Sequence, residues 1–291
     1  MITQIVIHLL PHEIDWFEWQ IKQLKQSSYY LEEDNIIIDV TLNLNLIEWD
    51  KSQIPKQFFI DKFKQIEKLC DFCQTQFIID EENKCLGCND KRREAIHSTS
   101  ADNILYLDTD LIFPPELLKT IIESSKMVSN DYYIISPQTV KMWDNSWDVI
   151  TNKKYVSNPA DLDLYYKNDP FQIISNSIEK VNLTPINQFK FGGGWFNLLS
   201  TKLLKFTDIP NSLGSYGVDD TYVMICCDIM KQKGYNIQQY VLEGITVIEN
   251  FKYRWNPYKE YLYSIDKQNK FKQSAEENLN KEIQNFINKN E

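Results

Sequence analysis

The chain reads as an α/β protein on an open, mostly parallel sheet, and three observations carry that expectation: a strand-helix-strand opening, the same alternation resumed past residue 100, and an apolar run that ends in two carboxylates. Ile2 to Leu10 is nearly continuous in apolar residues, as a strand buried on both faces requires. A helix from about Glu13 to Gln26 follows, with Ile14, Phe17, Ile21 and Leu24 on one stripe. Ile36 to Leu44 is the second strand, which completes the first βαβ unit. Pro55 to Leu69 reads as a helix, a basic helix begins near Asp90, and Ile104-Leu105-Tyr106-Leu107 is the next buried strand. Alternation continues with a helix at Pro115 to Met127 and a strand at Tyr132 to Ser136. Beyond an irregular, aromatic-rich stretch come a strand at Trp195 to Leu199, a helix from about Thr221 to Lys233 capped by Gly234, and a strand at Gln239 to Glu249.

This plan divides the chain into a main domain over 1–262 and a charged helical tail over 263–291. Within the domain, 66–92 is set apart by its cysteines and 141–190 by its aromatics, the latter as an acceptor-side or lid region. The 291 residues, 43% of them hydrophobic, suffice for a large core. A formal charge of -10 and a pI near 5.0 argue against nucleic acid as a partner, since phosphate backbones select basic surfaces. The opening residues lack a basic segment and a small-residue cleavage site, and no run approaches membrane-spanning length. A cytoplasmic protein is expected, with room for peripheral membrane contact and with the oligomeric state left open.

Two side chains two apart on a strand share a face, so Asp108 and Asp110 of Asp108-Thr109-Asp110 are placed to grip one cation at the carboxyl end of the strand. Phe191-Gly192-Gly193-Gly194-Trp195-Phe196-Asn197 uses three of the eight glycines in the chain, as close approach of backbone to a ligand requires. Gly217-Val218-Asp219-Asp220-Thr221-Tyr222 sets a second acidic pair at a helix start, where carboxylates also suit the cap and the helix dipole. Cys70-x-x-Cys73 and Cys85-x-x-Cys88 have the spacing of a four-thiolate structural Zn²⁺ site. In that arrangement Gln74 to Lys84 forms a small hairpin, and the knuckle staples the preceding helix to the helix at Asp90 to Ser98. Cys226 and Cys227 read as core residues.

The three acidic and glycine-rich motifs, in this order, resemble those of GT-A glycosyltransferases of the family-2 kind, with the zinc knuckle as an insertion. The resemblance implies a metal-dependent, inverting transfer of a sugar from a nucleotide diphosphate sugar to a hydroxyl acceptor, which is a glycan, a lipid-linked glycan or a protein. By that likeness Asp110 holds Mn²⁺ or Mg²⁺ at the donor diphosphate directly, and Asp108 contacts the ribose, or the metal through water. Gly193, Gly194 and Trp195 line the acceptor side, with Trp195 stacked on a sugar ring. Asp220 is the base and Asp219 its acceptor-binding partner, although Asp replaces the family's Glu at the first position and leaves the order within the pair open. Where the family has a metal-binding His after the last core strand, this chain has Glu249 and Asn250, and by the same likeness one of them supplies an oxygen to the metal in its place. His8, Leu9, Leu10 and Pro11, with Thr41, Asn43 and Asn45 at the end of the second strand, occupy the region that accepts base and ribose, and Arg92 or Arg93 compensates the charge of the diphosphate. Two alternatives stand beside this one: a nucleotidyltransferase on the same fold, and a zinc-knuckle binding module without transferase activity.

Overall fold

The structure, a computed structural model, describes residues 1–44, 54–82, 87–141, 182–190, 196–214, 217–249 and 265–290. Strand β1 (Thr3–Leu9) passes through a 3-10 turn at Pro11–Glu13 into helix α1 (Ile14–Ser27), and β2 (Ile36–Asn43) returns alongside β1. Helix α2 (Lys56–Glu67) then leads to β3 (Gln74–Asp80), and α3 (Cys88–Ser98) to β4 (Asn103–Leu107). A two-residue strand β5 (Leu111–Ile112), helix α4 (Leu117–Ser125) and β6 (Tyr132–Lys141) come next. After β7 (Leu183–Ile186), the strand β8 (Phe196–Ser200) runs straight into α5 (Thr201–Thr207), whose first turn is capped by the Ser200 hydroxyl accepting from the Leu203 amide. The chain closes with α6 (Asp219–Gln232), β9 (Ile237–Glu249) and α7 (Ile265–Lys289).

The strands form one sheet in the order β3-β2-β1-β4-β8-β6-β9-β5, with β7 also paired to β9. Strands β3, β2, β1 and β4 are mutually parallel, and β8 is reversed between β4 and β6. Strands β6 and β9 resume the common direction, whereas β5 and β7 oppose it. The expected parallel sheet is therefore present, and it is mixed beyond β4. Side-chain alternation divides the core between the two faces. Ile5, Ile7 and Leu9 pack with Phe17, Ile21 and Leu24 of α1 in one cluster, while Val6 joins Tyr106, Leu199, Val223 and Met224 in the other. Cys226 and Cys227 are wholly buried in this second cluster, as their helical setting requires.

Among the described residues, three of the four cysteines of the expected zinc knuckle do not come together. Residues 74–80 do not fold back as a hairpin; they extend as β3 and pair with β2 in parallel over their whole length. Cys70 and Cys73 sit before that strand and pack in the core, with the Cys73 thiol 3.7 Å from the Cys70 carbonyl oxygen. Cys88 opens α3, its sulfur 4.0 Å from His8 Nδ1 at the other end of the sheet. His8 is in register with Thr41, and Thr41 with Ile78, five residues beyond Cys73. At about 3.3 Å per strand residue this separates the cysteines by roughly 16 Å, whereas thiolates sharing a tetrahedral Zn²⁺ lie about 4 Å apart. Cys85 lies outside the described residues. No group of three or more metal-ligating His, Cys, Asp or Glu side chains forms among the described residues.

Helix α7 is docked on the domain. Phe286 and Ala275 are buried with Leu279 and Ile283 against the second cluster, and the Ser212 hydroxyl donates to Glu282 at 2.7 Å. No helix among the described residues is long and apolar enough to cross a membrane. The segment 142–181, which holds most of the expected lid region, lies outside the described residues.

Candidate functional site

The two acidic motifs meet at the rim where β1 and β4 end. Tyr106 and Asp108 share a face of the β4 line, and that face is covered by α3. From α3, Arg92 places its guanidinium 5.5 Å above the Tyr106 ring and forks between two carboxylates: Nη2 donates to Asp108 at 2.6 Å and Nη1 to Asp219 at 2.9 Å. The side chain is 9% exposed and Asp219 is 3% exposed, so this is a sheltered Asp-Arg-Asp bridge. Both flanking carboxylates hold the Arg92 charge in place against the cost of burial.

Neighbouring basic residues on α3 have other tasks. Lys91 is buried against Asp39 of β2 at 2.7 Å, and the same aspartate accepts from Gln4 at 2.9 Å. Arg93 turns to the 209–214 loop, where it donates to the carbonyls of Ile209 at 2.5 Å and Pro210 at 3.1 Å. Of the two arginines expected near a diphosphate, Arg92 stands between the acidic motifs and Arg93 braces a loop.

Asp219 and Asp220 differ in their surroundings although they are adjacent. The turn into α6 uses Gly217 at φ 83 and Val218 at φ 54, a left-handed setting that strains a β-branched residue. Burial of Val218 in the second cluster and donation from Asn89 to the Gly217 carbonyl at 3.0 Å hold the turn. Asp219 is fastened to Arg92, whereas Asp220 accepts from the Thr221 amide at 2.5 Å. Burial, and then the adjacent Asp219 charge, push the Asp220 carboxyl up to about 7.

Sequence reasoning missed Glu13. It sits in the 3-10 turn after β1, where its Oε2 accepts from the Leu10 amide at 2.8 Å, and it also bonds the Thr109 side chain. Burial raises its carboxyl to about 8, and Asp110 and Asp108 add to the shift. Glu13 thus joins the first loop to the acidic loop and extends the acidic field around Asp110. The Glu at the third position of a short turn, answering the Leu10 amide, is a capping-box pattern and was the signal available. Gln20 of α1 completes the junction by donating to the Asp108 carbonyl at 2.9 Å.

His8 lies one residue before the end of β1, against Cys88 of α3, with burial and the Arg92 charge lowering its imidazole to about 4, so it is neutral at physiological pH. Leu10 presents its amide to Glu13. Glu249 is set by strand register opposite Leu111, the residue after Asp110. Asn250 and the glycine-rich stretch with Gly193, Gly194 and Trp195 lie outside the described residues. What the structure brings together is therefore Asp108, Arg92, Asp219 and Asp220, with Glu13, Asp110 and the backbone of Glu249 beside them. An all-oxygen donor set at a strand end suits a hard divalent cation, and the paired Arg92 limits how much of that set Asp108 supplies.

No family model matches the chain, and no curated protein matches it. Among solved structures, the mannosyltransferase PcManGT from Pyrobaculum calidifontis in complex with GDP-Man and Mn²⁺ is similar at a TM-score of 0.50 and 13% identity, over 85% of this chain and 56% of that one. TarS 1-349 of S. aureus in complex with UDP aligns at 0.47 and 12% identity, over 86% of this chain and 60% of that one. A UDP-glucose pyrophosphorylase complexed with UDP-glucose aligns at 0.43 and 8% identity, over 83% and 91% of the two chains. The chain thus spans little more than half the length of the two transferase structures. The fold is an α/β mixed sheet flanked by helices, of the GT-A type.

Proposed function

We propose that the chain is a metal-dependent glycosyltransferase that moves a sugar, with inversion, from a nucleotide diphosphate sugar to a hydroxyl acceptor. The observation that carries this reading is the Arg92 fork, which unites a strand-end acidic loop and a helix-start acidic pair at one rim. Donor activation and proton removal need these two kinds of carboxylate side by side. In this reading Asp110, assisted by Asp108, holds Mn²⁺ or Mg²⁺, which when bound offsets charge on the departing diphosphate. The His8–Leu10 loop takes the nucleotide, and Gly193, Gly194 and Trp195 face the acceptor. Asp220 is the base. A carboxyl titrating near 7 matches the acceptor proton at neutral pH, whereas Asp219 has its charge engaged by Arg92.

The test is incubation of the purified chain with UDP- and GDP-sugars and Mn²⁺, following donor binding and slow release of nucleoside diphosphate. Binding of at least one donor, lost in Asp110→Ala, is the expected result. Release of sugar 1-phosphate on adding pyrophosphate would instead identify a nucleotidyltransferase. Failure to bind any donor, with Asp110→Ala behaving like wild type, rejects both.

A further inference from the structure

We infer that the carboxyl-terminal helix α7 belongs to the frame of the second acidic pair, with Phe286 and Tyr222 as positioning residues that hold Asp219 and Asp220 in their orientation. The inference rests on the proposed function above and deepens it. The turn that delivers Asp219 passes through Val218 at φ 54, a setting that persists only where its surroundings enforce it. The Tyr222 amide closes that turn by donating to the Val218 carbonyl at 2.9 Å, and three positions after Asp219 it stands beside it on the helix surface. Its side chain is held from two sides. The hydroxyl donates to the Thr207 carbonyl at the end of α5 at 3.4 Å, and the Phe286 ring of α7 meets the Tyr222 ring edge-on, with centroids 6.4 Å apart. Phe286 is buried there and also packs on Phe206 of α5 at 6.0 Å. Helix α7 reaches the same pair by a second route, because the Ser212 hydroxyl donates to Glu282 at 2.7 Å while Arg93 holds the Ile209, Pro210 and Gly214 carbonyls. Helices α3 and α7 thus grip from two sides the loop that precedes the strained turn. Asp108 is anchored elsewhere, by Gln20 of α1 and Arg92 of α3. Successive residues stand about 100° apart on a helix, so fraying or rotation of the first turn of α6 would displace Asp219 and Asp220 together.

The test compares Phe286→Ala and the milder Phe286→Leu with Phe63→Leu, which takes a ring of α2 from the other cluster, where it stacks on Phe77. Melting temperatures are read first, and all later measurements are made well below them. In Phe286→Ala, hydrogen exchange at the amides of Tyr222 to Cys226 is expected to quicken about ten-fold or more while that of residues 104–112 stays as in wild type. Release of UDP or GDP from their sugars with Mn²⁺ is expected to fall about ten-fold, because the proposed base is misplaced, whereas binding of UDP and GDP with Mn²⁺ stays within about three-fold. Phe286→Leu should show both effects in smaller measure, and it decides alone if Phe286→Ala does not fold. Phe63→Leu should lower the melting temperature and leave exchange in α6 and turnover as in wild type. Unchanged exchange at Tyr222 to Cys226, faster exchange with full turnover, or the same losses in Phe63→Leu overturns the inference while the donor-site reading stands. A wild-type chain that binds neither nucleotide and releases none from any donor overturns the donor-site reading, and this inference with it.

Discussion

The two acidic pairs of this molecule are built from the same side chain and stand at the same rim, yet they are held in opposite ways. Asp108-Thr109-Asp110 leaves a strand: Thr109 is buried, and both aspartates reach partly into solvent. Asp219-Asp220 begins a helix after a strained turn, and its first member is almost wholly enclosed. One aspartate of each pair is bound to Arg92 and the other is not. In the proposed reaction the other two have the chemical tasks, Asp110 as cation ligand and Asp220 as base.

Four substitutions or treatments test that division. The largest effect is expected for Asp110→Ala, which should abolish cation-supported donor binding, measured by calorimetry with Mn²⁺ present. Asp220→Asn should lower turnover by about 10²-fold or more while donor and Mn²⁺ binding stay within a factor of two, as loss of a base and not of a ligand demands. The pH profile follows from the same carboxyl. Because Asp220 titrates at about 7 and not 3.8, its base form disappears as pH falls through 7, and initial rates should drop about ten-fold per unit below that point. Linkage gives a stability signature with its own sign: ionising a carboxyl whose folded value is raised costs stability between about pH 4 and 7. Asp220→Asn should therefore raise the melting temperature by an amount that grows across this window and is flat above it, read by thermal melts at several pH values. The smallest effect is expected for chelation in the absence of donor, which should leave the melting temperature within about 2 °C. A large drop would restore a structural metal at the cysteines and break the assignment of the metal requirement to the first acidic pair alone.

Much of this comparison is legible in the sequence, because β1, β2 and β4 are largely apolar runs and the acids stand past the end of β4 or at a helix start. The error at residues 70–88 has a physical cause. Gln74-Thr75-Gln76-Phe77-Ile78-Ile79-Asp80 is an edge strand whose alternation is blurred by Ile78 on the exposed face and Thr75 on the inner one, and cysteine spacing outweighed it. Strand β8 and helix α5 share Ser200 with no intervening loop, which concealed α5. The Arg92 fork was illegible for another reason: Asp219 is 127 positions away, and no local pattern encodes a partner at that distance. A run of Lys-Arg-Arg on a helix reads equally well as a solvated face.

That run has a consequence for tolerance to change. A helix turns about 100° per residue, so Lys91, Arg92 and Arg93 fan out in three directions. They fasten α3 to β2, to the two acidic motifs and to the 209–214 loop respectively. Deleting or inserting a single residue just ahead of them would rotate all three attachments at once. The helix therefore behaves as a keyed shaft: point changes at its exposed positions are absorbed, while a one-residue slip disconnects the sheet, the site and the loop in a single event.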